Sequence, residues 1–149
     1  FRKGRALGWE ITAHAGEAAG PESIWTAIDQ LGATRIGHGL HAIEDPALMD
    51  AMAKREIGLE ISLTSNVQIS AVPDYDEHPI RTYVERGIKV TLNTDDPAVS
   101  RITLPHEYGE AAPAAGLSRD QIRRIQRHGL DVAFLPADAR QALLAGKQG

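Results

Sequence analysis

The chain contains no cysteine. That excludes disulfide bonds, a cysteine-based structural zinc site and a His/Cys/Cys zinc set. Any metal would have to be held by histidine, aspartate or glutamate, the ligand types of a catalytic rather than a structural zinc. A long apolar run is also missing, so no membrane-spanning helix and no membrane partner are expected. No basic segment followed by an apolar stretch opens the chain. A secretory leader is therefore not expected, and the cytoplasm is the expected compartment. An excess of positive charge is missing too. The net charge is −4, and Lys and Arg are scattered rather than striped, which argues against nucleic acid as a partner. With 149 residues and 42% hydrophobic content, the composition is that of a soluble globular chain of one domain at most.

The most informative stretch is Leu92-Asn93-Thr94-Asp95-Asp96-Pro97, which follows the apolar run Ile88 to Leu92. Two adjacent carboxylates at the end of a buried strand repel each other, and a strand tip offers them little water. One reading is that Asp96-Pro97 caps the next turn and Asp95 is merely exposed. The other is a metal ligand beside a substrate-binding acid.

Upstream, the chain repeats one arrangement. Leu7 to Ala13 reads as a strand ending at His14-Ala15-Gly16-Glu17. Pro21 begins a helix with Ile24, Ala27, Ile28 and Leu31 on one face, stopped by Gly32. Arg35 to Gly37 is a second strand ending at His38-Gly39, and Asp45-Pro46 caps a helix whose Leu48 and Met52 face inward. Gly58 to Leu63 is a third strand ending at Thr64-Ser65-Asn66. His78-Pro79 leads into a helix through Ile80, Tyr83 and Val84, closed by Gly87. Beyond the fourth strand, Leu104 to Ala112 has a helical pattern. Ser118-Arg119-Asp120-Gln121 is a capping box for a helix running to about Phe134, and Asp138 to Leu144 forms a last short helix.

The order is therefore β-α-β-α-β-α-β followed by helices, which implies parallel strands with right-handed crossovers. Such strands place their C-terminal tips on one side of the sheet, where α/β proteins carry their sites. Residues 1–103 form the βα units and 104–149 the C-terminal helices of a single, partial domain.

Each polar tip has a plain reading when taken alone. His14 could be a satisfied structural histidine, the glycines around His38 could simply permit a tight turn, and Ser65-Asn66 is preferred as ordinary turn chemistry. Taken together, His14, Glu17, His38 and Asp95-Asp96 supply nitrogen and oxygen ligands, a spare carboxylic acid and a spare imidazole. That is the equipment for metal-assisted hydrolysis. His41 and His78 at helix starts, and His106 and His128 on expected helix surfaces, read as non-catalytic.

The motifs His14-Ala-Gly-Glu17, Arg35-Ile-Gly-His38-Gly39, Leu63-Thr-Ser-Asn66 and Asn93-Thr-Asp-Asp-Pro97 resemble the successive signatures of the adenosine deaminase family, in its order and spacing. The resemblance covers nearly the whole chain. It implies a (β/α)8 TIM barrel with one zinc ion per complete active site. By that resemblance His14 and Asp95 are metal ligands, and Glu17 donates a proton to N1 of a purine. His38 is the base or electrostatic guide for the attack on C6, Asp95 helps to orient the attacking oxygen, and Asp96 hydrogen-bonds N7. Ser65 and Asn66 would act, if at all, behind these groups.

Within the family, adenosine and 2'-deoxyadenosine are the expected substrates, giving inosine or 2'-deoxyinosine and ammonia. Adenine deaminases tend to carry Asp in place of Gly37 and Ser in place of Thr94; AMP deaminases tend to carry Cys in place of Ala15. Leu63 departs from the Pro of many members. The alternatives are deamination of another amino-purine (adenine, AMP or a modified nucleoside) or a non-catalytic purine-binding remnant. The family's first-strand His-x-His and a purine-contacting Gly have no counterpart here. A barrel of this kind needs about 250 residues. The expected fold is thus the C-terminal half, strands 5–8 and the following helices, with unpaired sheet edges at the Leu7 and Ile88 strands. Activity is expected only with an N-terminal half-barrel, supplied in cis or in trans.

Overall fold

The computed structural model describes residues 1–146, so the last three residues of the expected helical part 104–149 lie outside the described residues. Its centre is a parallel sheet of β1 (Thr12–Ala15), β2 (Arg35–His38), β3 (Gly58–Ile61) and β4 (Lys89–Leu92), in that spatial order. The register aligns Thr12 with Arg35, Gly58 and Lys89, and His14 with Gly37, Glu60 and Thr91. Side chains alternate along a strand, so these eight residues share one face. The other face carries Ile36, Leu59, Ile61, Val90 and Leu92, all buried.

The helices that build the core pack on the apolar face. The segments are α1 (Arg2–Ala6), α2 (Pro21–Thr26), α3 (Pro46–Lys54), α4 (Leu63–Gln68), α5 (Ile80–Glu85), α6 (Pro97–Ser100), α7 (Leu104–His106), α8 (Ala112–Ala114), α9 (Arg119–Asp131) and α10 (Ala137–Ala145). Ile24 and Ile28 come from α2 and its π-helical continuation Ala27–Leu31, Leu48 and Met52 from α3, Tyr83 and Val84 from α5, and Ile125 from α9. They form one core with the sheet. Parallel sheets are normally covered on both faces. Here the second face holds Thr12, Arg35 and Glu60, with Thr12 Oγ1 donating to Glu60 at 2.7 Å and Arg35 ion-paired to the same carboxylate at 3.3 Å. A polar, layered face of this kind is the lining of a barrel, and the chain has the architecture of half a TIM barrel.

Most expected elements are present, including the Asp45 cap, which accepts from the N–H groups of Ala47 and Leu48, and the Ser118–Gln121 capping box. Three boundaries differ for physical reasons. The first strand starts at Thr12 rather than Leu7, because Gly8, at φ 77°, ends α1 by donating its N–H to Arg5 O. The third strand stops at Ile61, and Leu63 opens α4 instead of extending the sheet. The long α9 helix ends at Asp131, short of Phe134, whose ring instead stacks under the Arg35 guanidinium at 3.6 Å.

The outer edge of β4 is partly occupied. Nδ1 of His128 lies 3.2 Å from Val90 N and 3.1 Å from Val90 O. His128 is therefore not simply a surface residue, and burial lowers its pKa. No helix among the described residues is long and apolar enough to cross a membrane.

Candidate active site

The tips of β1 and β2 are tied together by the backbone. Gly39 N donates to Ala15 O at 3.0 Å, and His41 N to Gly16 O at 2.9 Å. Both glycines are left-handed, at φ 66° for Gly16 and 62° for Gly39, and neither has room for a side chain. A Cβ on Gly16 would meet Ile24 at 2.4 Å, and one on Gly39 would meet Leu59 at 2.4 Å. This double turn brings Glu17 beside His38, with Oε1 3.3 Å from Nδ1.

His38 and Asp95 also adopt left-handed backbone, at φ 64° and 57°. For a residue with a side chain that conformation costs about 1–2 kcal/mol. By simple alternation His38 would face the helix layer; rotation about its N–Cα bond swings the imidazole toward the strand tips instead. There Nε2 stands 4.0 Å from Asp95 Oδ2, and the His14 and His38 ring centroids are 5.1 Å apart. One potential ligand atom from each of His14, His38 and Asp95 lies within 4.8 Å of the others. The His14 imidazole and the Asp95 carboxylate in this group are nitrogen and oxygen donors of the kind that hold zinc, and they fit part of such a site. A cavity of about 420 Å³ opens over them, lined also by Gly37, Glu60, Ser62 and Leu104. The larger cavity of about 640 Å³, between the Leu40–Glu44 turn and α5, holds none of these groups.

The two carboxylates at β4 differ from the expectation of a water-poor tip, since both are exposed. They divide their work. Asp95 faces His38, whereas Asp96 caps α6 by accepting from Ala98 N and Val99 N, both through Oδ1. Oδ2 of Asp96 takes no part in the cap, and Asp96 is not among the residues that line the cavity over His14, His38 and Asp95.

Ser65 and Asn66 are not turn residues. They lie in α4, where Ser65 Oγ donates to Asp95 Oδ2 at 2.7 Å and Asn66 Nδ2 lies 3.0 Å from His38 Nδ1. The helix is held by a residue that no local pattern singles out. Glu107, at 0% exposure, accepts from Leu63 N at 3.0 Å and Thr64 N at 3.1 Å, capping α4 from the far side of the chain. Tyr83 does the same for the turn after His38, donating to Leu40 O at 2.6 Å and accepting from Ile43 N at 3.1 Å. His78, read as non-catalytic at a helix start, does precede α5 and is buried against Asn66.

The sequence profile of the adenosine deaminase family matches residues 1–147. The chain belongs to the adenosine deaminase family. An adenosine deaminase of Escherichia coli O1:K1 is 59% identical over 143 residues, which cover 96% of this chain and 43% of that enzyme. The chain thus spans less than half the length of the curated relatives it matches. Among solved structures, an adenine deaminase from Arthrobacter aurescens superposes with a TM-score of 0.90 at 24% identity, covering 97% of this chain and 44% of that one, a likeness of fold alone. An amidohydrolase from Burkholderia ambifaria with bound Zn gives 0.87 at 30% identity, over 97% of this chain and 41% of its own. The Arabidopsis N6-mAMP deaminase gives 0.83 at 27%, over 95% and 42%. As an adenosine deaminase family member, the chain is related to hydrolases of the amidohydrolase superfamily, and its four-stranded sheet is the corresponding part of their barrel.

Proposed function

We propose that this chain is the C-terminal half of a zinc-dependent adenosine deaminase, which converts adenosine and 2'-deoxyadenosine to inosine and 2'-deoxyinosine with release of ammonia. The observation that carries the reading is the convergence of His14, His38 and Asp95 with Glu17 beside them. His14 and Asp95 would hold the zinc, together with ligands from an N-terminal half-barrel in cis or in trans. Zinc, as bound in the Burkholderia relative, supplies Lewis acidity that makes water nucleophilic near neutral pH.

The remaining chemistry belongs to the side chains. Glu17 passes a proton to N1 of the purine as water adds at C6, which makes the ring carbon tetrahedral and prepares ammonia to leave. His38 takes the water's proton or steers the attacking oxygen. Ser65 fixes Asp95, and Asp96 meets N7 through its free Oδ2. The 59% identity to the E. coli enzyme favours adenosine over adenine or N6-methyl-AMP, the substrates in the names of structures only 24% and 27% identical.

The test is to join this chain to an N-terminal half-barrel of the family, load zinc, and follow ammonia release and the ultraviolet change from adenosine to inosine. Turnover is expected for adenosine and deoxyadenosine ahead of adenine and AMP, and none for the chain alone. Glu17→Gln should lower kcat by about 10²–10⁴-fold. Nucleoside binding without turnover in the completed barrel would instead establish a non-catalytic remnant.

A further inference from the structure

We propose that His78, acting through Asn66, sets which ring nitrogen of His38 carries the proton, and so makes His38 a hydrogen-bond donor toward the reacting centre. The proposal rests on the placement of His38 in the deaminase site above and deepens it by deciding between the two roles left open there.

The chain of donors runs in one direction. Ile80 N–H donates to His78 Nδ1 at 3.0 Å, so that nitrogen presents its lone pair and the ring proton sits on Nε2. Nε2–H then faces Asn66 Oδ1 at 3.3 Å. This contact orients the amide so that its NH2 group points at His38 Nδ1, 3.0 Å away. An amide NH2 can only donate, so His38 Nδ1 accepts and the neutral ring carries its proton on Nε2. Nε2 is the nitrogen on the Asp95 side. No change of charge is involved, only the choice of tautomer.

The opposite choice is close at hand, which is why a positioning residue is needed. Glu17 Oε1 lies 3.3 Å from the same His38 Nδ1 and, acting alone, would draw the proton there. An Asn66 amide free to flip would present Oδ1 to that nitrogen and reinforce Glu17. The His78 N–H blocks the flip, because it would then face another donor. The three side chains are 3%, 0% and 4% exposed for His38, Asn66 and His78, leaving little water to satisfy a mismatched pair. Burial also drops the His78 pKa to about 3, which keeps it neutral and its Nδ1 free to accept.

The anchor is a backbone N–H on the residue after Pro79, where the chain enters α5. The relay is therefore fixed to the scaffold rather than to a mobile side chain. A glutamine can copy it, with its carbonyl toward Ile80 N and its NH2 toward Asn66 Oδ1. A leucine cannot.

The experiment uses the completed barrel with 15N-labelled histidine, read by long-range 1H–15N correlation at the His38 ring nitrogens, together with kcat and KM for adenosine. The native protein should show His38 as the Nε2–H form. His78→Leu should shift it toward Nδ1–H and lower kcat by at least about tenfold with KM nearly unchanged. His78→Gln should recover both relative to His78→Leu. Asn66→Asp keeps the shape but can only accept, so it should drive His38 to Nδ1–H and decides the matter if the leucine variant does not fold. An Nδ1–H ring in the native protein, or an Nε2–H ring that persists in His78→Leu or Asn66→Asp, overturns the proposal. If the tautomer responds as stated but no variant and no native protein deaminates adenosine, the relay stands and the functional reading fails.

Discussion

The hydroxyl of Ser65 donates a 2.7 Å hydrogen bond to Oδ2 of Asp95, across from α4 to the tip of β4. An Asp held in this way presents a defined oxygen to the cavity instead of sampling rotamers. Residues that orient a ligand in this manner typically change metal affinity by about 10–100-fold when removed. Ser65→Ala is expected to weaken zinc binding in the completed barrel by that factor, with folding stability little altered. Competition against a chromophoric chelator measures it, and an unchanged affinity would remove Ser65 from the site.

Glu107 makes a different kind of claim, on stability. Its carboxylate is the sole side-chain cap on Leu63 and Thr64 N–H among the described residues. Glu107→Ala strands two buried donors and should cost about 2–4 kcal/mol. Glu107→Gln, with one accepting oxygen, should cost about half as much. Urea unfolding midpoints report both, and equal losses for the two variants would mean the cap is not what matters.

His78 implies acid sensitivity. Its pKa is lowered from 6.5 to about 3 by burial, so between those values the unfolded chain binds a proton that the folded chain refuses. Stability is therefore full above pH 6.5 and falls as pH drops toward 3, by at most about 1.4 kcal/mol per pH unit for this one group. Unfolding free energies of native protein and His78→Gln, compared at pH 7.5, 5.5 and 4.5, should converge as the pH falls. Parallel curves would count against the shift.

Gly37 lies under the His14 imidazole. A Cβ there would stand 3.1 Å from His14 Cδ2 and 3.2 Å from Cγ. Gly37→Ala should push the ring off its position and weaken zinc binding several-fold. Stability should hold or rise by up to about 1 kcal/mol, because alanine loses less backbone entropy in a strand. A variant with both properties unchanged would show that the ring has room to spare.

Much of this protein is legible in its amino-acid order. Pro21, Asp45-Pro46 and Ser118–Gln121 announced helix starts because capping chemistry is local, and Gly32 and Gly87 announced stops for the same reason. His14, Glu17, His38 and Asp95 stood out because polar residues at the ends of apolar strands need an explanation. The preferred turn reading of Ser65 and Asn66 does not hold, since the pair lies in α4, while their place behind Asp95 and His38 matches the supporting position the resemblance implied. The burial of His78 against Asn66 had no local signal, because a histidine before Pro79 looks like cap chemistry. Glu107 carried no signal at all: a glutamate on an amphipathic helix looks solvated until its partner is known.

Local pattern, then, determined the order of strands and helices, the polar strand ends and the membership of those ends in one chemical set. It could do so because capping, alternation and glycine turns depend on neighbours a few residues away. Only the tertiary structure decided that both Asp96 cap contacts fall on one oxygen, that Glu107 holds α4, and that His78 reaches His38 through Asn66. The Asp96 cap is local and was one of the two readings the sequence offered; the Glu107 and His78 contacts join residues farther apart in the chain, and their geometry follows from strand register and helix placement, which no short stretch of sequence encodes.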